Sequence, residues 1–174
     1  MTIPDMDDGH KVDETWWRKA AQATIRRYCG WHVAPSIEQT LRLDSYGGRR
    51  LLLPSKHVTA VASVVADGVD ITARTHWSQA GILQTDAGTL LPDMPGGVQV
   101  TLTHGYEPEE APDVIMLLET IARRARAQGL IASQSVNGAS VSYLTAGGAP
   151  LSIPLLGIEQ QLLDPYRLNW GVVG

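Results

Sequence analysis

The pattern of apolar residues changes twice along the chain, and this limits the folds that are open to it. Apolar residues recur at steps of three and four in two segments, residues 13–29 and 112–128, which is typical of amphipathic helices. Between them, in residues 38–104, apolar and polar residues alternate in short runs, which is typical of half-buried strands. We therefore expect an α+β fold: a helical core with an inserted small antiparallel β unit of about five or six strands, and an extended C-terminal tail.

Residues with special backbone preferences mark the ends of these elements. Asp13 can accept hydrogen bonds from the first free amides of the first helix, and Gly30 is placed to end that helix. Pro112 suits the first position of the second helix, and Gly129 is expected to stop it. Asp67-Gly68 is a strong signal for a tight hairpin within the β unit.

The two ends of the chain differ from the segment between them. We expect residues 1–12 to form a flexible arm and residues 13–129 to form the main domain. In residues 130–174, large apolar side chains are separated by small and polar residues, and only 158–163 has a helical pattern. Such a segment either packs on its own domain or docks on a neighbouring chain; we favour docking, because exposed apolar surface usually marks an interaction site.

The second helix has more apolar surface than one contact needs. Val114, Leu117 and Ile121 share one face, whereas Ile115 and Met116 lie off it. A second partner, in the same chain or in another, would cover these two residues.

Composition excludes several classes of protein. The 174 residues are 44% apolar and 18% charged, which indicates a globular chain. The net charge of -4 provides no general basic field for nucleic acid, and a single cysteine allows no internal disulfide. No apolar run is long enough for a membrane span, and the acidic N-terminus does not resemble a signal peptide. We expect a soluble protein made in a cytoplasm.

The chain contains few candidates for chemistry. Cys29 and His32 are close enough to suggest a nucleophile with its base or two metal ligands, but further ligands at a suitable spacing are lacking. We interpret them as a buried cysteine at a helix end and a histidine in a turn. His104, followed by Glu107, Glu109, Glu110 and Asp113, would suit a cation site, but acidic residues also stabilise a helix N-terminus. We expect no catalytic residue, cofactor or metal.

Two alternatives to a structural protein stay open at this point. Arg123, Arg124 and Arg126 could contact phosphates, which would make the chain a small nucleic-acid-binding module, although the net charge argues against it. A small enzyme that uses Cys29 and His32 is the least favoured alternative.

Several motifs, in their order and spacing, resemble those of one family. They are IRRYCGWHVAP, LLLPSKHVTAV, a Trp-Ser followed by GIL, VQVTLTHGYEP with APDV, SVSYL and LLDPYR. Together they resemble head-to-tail adaptor proteins (head completion or connector proteins) of long-tailed bacteriophages, particularly of the actinobacterial type. The resemblance runs from about Trp16 to Arg167.

The resemblance implies a structural virion protein rather than an enzyme. Such adaptors form a ring, typically of twelve copies, in the virion neck between the portal and the stopper, and DNA passes through the ring without sequence-specific binding. It implies no membrane partner, and assembly from protein made in the host cytoplasm. The residues expected to contact a ring neighbour are Trp16, Ile115, Met116 and Arg123. The residues expected to dock the tail on the portal are Tyr143, Leu144, Ile153, Leu155, Leu156, Leu162, Leu163, Tyr166 and Arg167.

Overall fold

A computed structural model describes residues 13–130, 133–136, 139–142, 145–146, 149–150 and 154–168. The expected arm, residues 1–12, lies outside this part of the chain. Helices and antiparallel sheets are both present, so the expected α+β class is confirmed. The described residues divide into two compact units: the first holds residues up to Ile25 and Asp113–Leu162, and the second holds Arg26–Pro112 and the residues from Leu163 onwards.

Helix α1 spans Glu14–Cys29 and has the ends that the sequence predicts. The Asp13 carboxylate accepts a hydrogen bond from the Trp16 amide at 2.9 Å, which satisfies one of the free donors of the first turn. Gly30 follows with φ of 80°, a left-handed conformation that a residue with a Cβ rarely adopts, and it ends the helix.

Helix α2 spans Pro112–Leu130, and its C-terminal end corrects one prediction. Pro112 begins the helix as expected, but Gly129 does not stop it, since the helix continues through this glycine to Leu130. A glycine inside a helix costs only about 1 kcal/mol relative to alanine, so it ends a helix only where the backbone turns left-handed. The side chains that α2 buries are Val114, Leu117, Ile121, Ala122 and Ala125.

A short third helix confirms the helical pattern near the C-terminus. Helix α3 spans Gly157–Leu163 and is followed by a 3-10 turn, Asp164–Tyr166. Measured by length and apolar content, the described helices all fall short of what crossing a membrane requires.

The β unit of residues 38–104 has seven strands in two sheets, which corrects the expectation of five or six strands in one unit. The strands are β1 (Ile37–Tyr46), β2 (Arg50–Leu52), β3 (Val58–Ala66), β4 (Val69–Asp70), β5 (Thr75–Trp77), β6 (Ile82–Thr85) and β7 (Asp93–His104). A four-stranded sheet has the order β1-β7-β3-β4, and a three-stranded sheet has the order β2-β6-β5. All pairs in both sheets are antiparallel.

Side chains from both sheets form the core of the second unit. The predicted hairpin at Asp67-Gly68 is confirmed: it joins β3 to β4, and both residues have positive φ, 48° and 77°. Leu91 lies outside the strands and is a buried residue of this core. The other buried core residues are Leu51, Leu53, Val58, Val64, Ala66, Ile71, Leu83, Val98, Val100 and Leu102.

Two further hairpins follow α2. Strands β8 (Ser133–Val136) and β9 (Ala139–Ser142) pair with each other, as do β10 (Thr145–Ala146) and β11 (Ala149–Pro150). In the described part of the chain, no third strand joins either pair. The segment from residue 130 onwards therefore contains more regular structure than its composition indicates.

Candidate functional site

Cys29 and His32 occupy the positions that the structural interpretation predicts. Cys29 is the last residue of α1 and is completely buried, and burial raises the pKa of its thiol to about 11. The thiol is therefore protonated at neutral pH, which disfavours nucleophilic chemistry. His32 lies in the following turn, where Arg26 donates hydrogen bonds to the carbonyl oxygens of His32 and Ala34, both at 3.0 Å.

A cluster of aromatic and histidine rings surrounds this turn. The His32 and His104 rings meet edge to face with centroids 4.3 Å apart, and Tyr106 stacks on His57 at 4.2 Å. His57 also contacts the Gly105 carbonyl oxygen through Nδ1 at 2.9 Å. The remaining members of the cluster are Trp31 and Tyr166. Sequence reasoning missed this cluster, because its histidines come from three separate segments.

His104 is the most unusual ionisable group of the cluster. Its Nε2 lies 3.2 Å from Oε1 of Gln39, whereas its Nδ1 is buried without a hydrogen-bond partner. Burial, and to a lesser extent the neighbouring His32, lower the pKa of His104 to about 4. The ring is therefore neutral at physiological pH and acts as a packing group. Within the described residues, three or more His, Cys, Asp or Glu side chains nowhere come together as a metal site would require.

The acidic residues near the start of α2 have a local role. The Glu107 amide donates a hydrogen bond to the carboxylate of Glu110 at 2.8 Å, and Asp113 lies in the first helical turn. Such contacts fit the stabilisation of a helix N-terminus.

Polar contacts connect the turn after α3 to other residues of the second unit. The Trp31 indole donates a hydrogen bond to the Tyr166 carbonyl at 2.6 Å, and the Tyr28 hydroxyl donates one to Asp164, also at 2.6 Å. The Leu168 amide donates to the Cys29 carbonyl at 2.8 Å. This C-terminal clasp, residues 164–168, therefore packs on its own chain.

The clasp changes the set of residues that are available for docking. Leu163, expected as a docking anchor, is completely buried in its own chain, and the guanidinium of Arg167 lies over the ring of Tyr28 at 5.4 Å. Leu156 and Leu162 are about half exposed, at 51% and 48%, and Leu155 is partly buried. Tyr143, Leu144 and Ile153 lie outside the described residues.

The residues expected at a ring contact are accessible to different extents. Met116 is 72% exposed and Trp16 is 42% exposed, whereas Ile115 is half-buried. Arg123 is exposed beside a shallow groove of the first unit, which Trp17 and Ala122 also line. Among the described large apolar side chains of α2, that of Met116 is the most exposed.

Two of the three clustered arginines are held by carboxylates. Arg124 forms two hydrogen bonds with Glu159, one of them at 2.9 Å, and contacts the Pro154 carbonyl oxygen at 3.0 Å. Burial raises the pKa of Glu159, but hydrogen bonds from Arg124 and from the Leu156 amide more than offset this, so the pKa lies below its ordinary value. Arg126 pairs with Glu14 at 3.4 Å on the surface. The cluster is therefore not a free basic patch.

One exposed apolar patch was not expected from the sequence. Leu52, Trp77 and Ile82, each at least 40% exposed, line a shallow depression on the three-stranded sheet. The alternation of each strand is too short to show which face is covered, so no sequence signal identifies this patch.

The comparisons with known proteins bear on the fold. No protein-family model and no curated protein matches the chain. The chain is similar to a chain in a structure of the neck of the native GTA particle, computed with C12 symmetry, with a TM-score of 0.55 at 15% identity. That match covers 94% of this chain and 86% of the other. A chain of the virion of the native gene transfer agent (GTA) particle matches with a TM-score of 0.52 at 16% identity, covering 100% and 87%.

These two likenesses extend over nearly the whole of each chain. The chain shares the fold of these particle proteins. At such low identity, the likeness concerns the fold alone.

Proposed function

We propose that the chain is a head-to-tail adaptor: a structural protein that forms a ring in the neck of a phage-like particle, between the portal and the stopper. The observation that carries the proposal is the shared fold over 94% of this chain with a protein of a particle neck that was computed with C12 symmetry. The motifs from IRRYCGWHVAP to LLDPYR support it independently, because they resemble adaptor proteins in sequence. On this proposal the protein is made in the host cytoplasm and functions in the virion neck as a ring of twelve copies.

The surface of the first unit supports a contact between ring neighbours. Met116 and Trp16 expose large apolar side chains, and exposed apolar surface commonly marks a site of association. We place the ring contact on this surface, with Ile115 and Arg123 at its margin.

The exposed part of α3 supports a contact with a second protein. Leu156, Ile158 and Leu162 leave about half or more of their side chains exposed on a helix of only seven residues. We place the portal contact here, and we no longer include Leu163 in it, because that side chain is completely buried.

The charge of the chain suits a channel through which DNA slides. The net charge is -4, and Arg124 and Arg126 are already paired with carboxylates. Strong affinity for DNA requires cations that can replace the counterions of many phosphates. These pairs therefore favour passage of DNA over binding, and they weaken the alternative of a nucleic-acid-binding module.

Substitution of Met116 tests the ring contact. Met116→Lys puts a charge where an apolar side chain would be buried, and we expect ring assembly to weaken at least tenfold because burying one such side chain contributes about 2 kcal/mol. Light scattering across a concentration series measures the effect.

The matched control is Ala127→Lys, which adds the same charge at another exposed position of α2. We expect this variant to assemble like the unchanged chain, and both variants to keep its thermal stability. If the two variants assemble equally well, the ring contact does not lie on this surface.

A further inference from the structure

Strand β1 is a long edge of the four-stranded sheet that is open on one side. Its ten residues pair with β7 along nearly the whole length, and in the described part of the chain no strand pairs with its other side. The first four residues, from Ile37 to Thr40, are all exposed. An edge of this kind presents a row of free backbone donors and acceptors, and natural proteins usually shorten, cover or block it.

The side chains of β1 leave room for another strand. Leu41 and Leu43 pack against the core but are only half-buried. A strand added to β1 would bury them further. The pairing with β7 shifts between Leu43 and Ser45, so the regular part of the edge runs from Ile37 to Leu43.

Charged side chains are the usual means of blocking an edge, and two of the three on β1, Arg42 and Asp44, are directed elsewhere, while Glu38 is exposed. Arg42 donates a hydrogen bond from Nε to the Gly96 carbonyl at 3.0 Å. The carboxylate of Asp44 accepts one from the Gly96 amide at 2.7 Å. Because Gly96 belongs to β7, the charges of Arg42 and Asp44 are turned towards the paired side of β1 and away from the open side.

Two strand pairs of the described residues, β8–β9 and β10–β11, belong to no larger sheet, and β8–β9 has the longer strands. Strands β8 and β9 have four residues each and pair only with each other among the described residues. An isolated two-stranded hairpin is marginally stable in water, and a third strand is usually needed. Residues 133–146 include no charged side chain, so nothing in this hairpin would repel a neighbouring strand.

We propose that the β8–β9 hairpin of one copy adds to the open edge of β1 in the next copy. The open edge of β1 and the β8–β9 hairpin lie in different units of the fold. A contact between two different surfaces repeats from copy to copy and closes into a ring when the rotation allows it. The inference rests on the proposed ring and specifies the backbone contact that joins neighbouring copies.

Amide hydrogen exchange on the unchanged protein tests this contact directly. We expect the outward-facing amides among residues 38–43 to exchange at least tenfold more slowly in the ring than in the monomer, and residues 133–142 to gain protection together with them. A ring in which β1 exchanges as it does in the monomer would overturn the inference and leave the proposed ring standing. A chain that forms no ring, alone or with its portal, would overturn both.

If the β1 amides of the monomer exchange slowly at every protein concentration, the hairpin pairs within its own chain instead. Protection that requires the portal but no second copy would mean that the portal supplies the strand. Either result overturns the contact between copies.

Two proline variants separate the open side of β1 from its paired side. Successive N–H groups of a strand point to opposite edges, so one of Gln39→Pro and Thr40→Pro removes a donor from the open side and the other removes one from the β7 ladder. Each variant also loses one side-chain hydrogen bond, so the pair is well matched. The variant that loses the donor on the open side should keep its melting temperature and fail to form rings. The variant that loses the donor in the β7 ladder should melt at a lower temperature.

Mixing this edge variant with a hairpin variant gives a further test. In the hairpin variant, residues 133–142 are replaced by a flexible Gly-Ser segment of equal length. The edge variant keeps its hairpin and the hairpin variant keeps its edge, so one productive contact is possible. We expect neither variant to assemble alone and the mixture to stop at a 1:1 complex; a mixture that stays monomeric, or a hairpin variant that still forms rings, would overturn the inference.

Discussion

At the scale of single residues, His104 shows how the fold determines the properties of a side chain. Its ring is 2% exposed, packs edge to face on His32, and has a buried Nδ1 without a partner. A charged imidazolium at this place would lose its hydration and carry a proton on Nδ1, which has no acceptor. His104 therefore connects the stability of the second unit to pH.

We predict that the protein loses stability as the pH falls from about 6.5 to about 4. The folded-state pKa of His104 is about 4, below the unfolded value of 6.5, so in this window the unfolded chain takes up a proton that the folded chain does not. The loss is at most about 3 kcal/mol from this residue, since each pKa unit corresponds to about 1.4 kcal/mol. Urea unfolding at a series of pH values measures it.

The variant His104→Leu identifies the residue responsible. It removes the titrating group while keeping an apolar side chain in the cluster, so we expect its acid-induced loss to be smaller than that of the unchanged chain. If the two pH profiles run parallel, His104 does not cause the effect.

The chemistry at this scale could be predicted only where it is local in sequence. The interpretation of Cys29 as a buried residue at a helix end is confirmed, because Gly30 shows where the helix ends. The contact between His32 and His104 could not be predicted, because it depends on how β7 pairs with β1 and on the turn after α1.

At the scale of elements, two of the charged pairs that α2 forms differ in burial. Arg124 and Glu159 have side chains that are 22% and 6% exposed, and their pair connects α2 to α3 within the first unit. Arg126 and Glu14 are 55% and 77% exposed, and their pair connects α2 to α1. Removing one partner of a buried pair leaves an uncompensated charge, whereas a surface pair contributes little.

We predict that Arg124→Met destabilises the protein by about 2–3 kcal/mol and that Arg126→Met changes its stability by less than about 0.5 kcal/mol. The first substitution leaves the Glu159 carboxylate buried without its partner, while the second breaks a solvated contact. Thermal and urea unfolding of both variants test this difference. Equal effects would mean that the buried pair does not hold α3 in place.

Helices were predictable at this scale, and sheet pairing was not. The helical period and the residues Asp13, Gly30 and Pro112 predicted α1 and the start of α2 closely. The Gly129 prediction was wrong because a glycine only permits a helix to end. Alternation located most of the strands, but which strand pairs with which depends on contacts far apart in sequence, so the division into two sheets was missed.

At the scale of the whole molecule, the shared fold and the open surfaces point to assembly. The chain resembles particle neck proteins in fold, exposes Met116, and leaves both an edge of β1 and the β8–β9 hairpin without further partners among the described residues. The sequence motifs support the same proposal, because they resemble those of adaptor proteins. The burial of Leu163 could not be predicted, because the sequence does not show that the clasp at 164–168 packs on its own chain.

The most direct test of the proposed function is the mass of the purified full-length chain, alone and mixed with its portal, by native mass spectrometry. We expect a closed ring, most simply of twelve copies, either in the protein alone or in a stoichiometric complex with the portal. A chain that remains a monomer under both conditions and leaves the portal unbound would contradict the adaptor proposal.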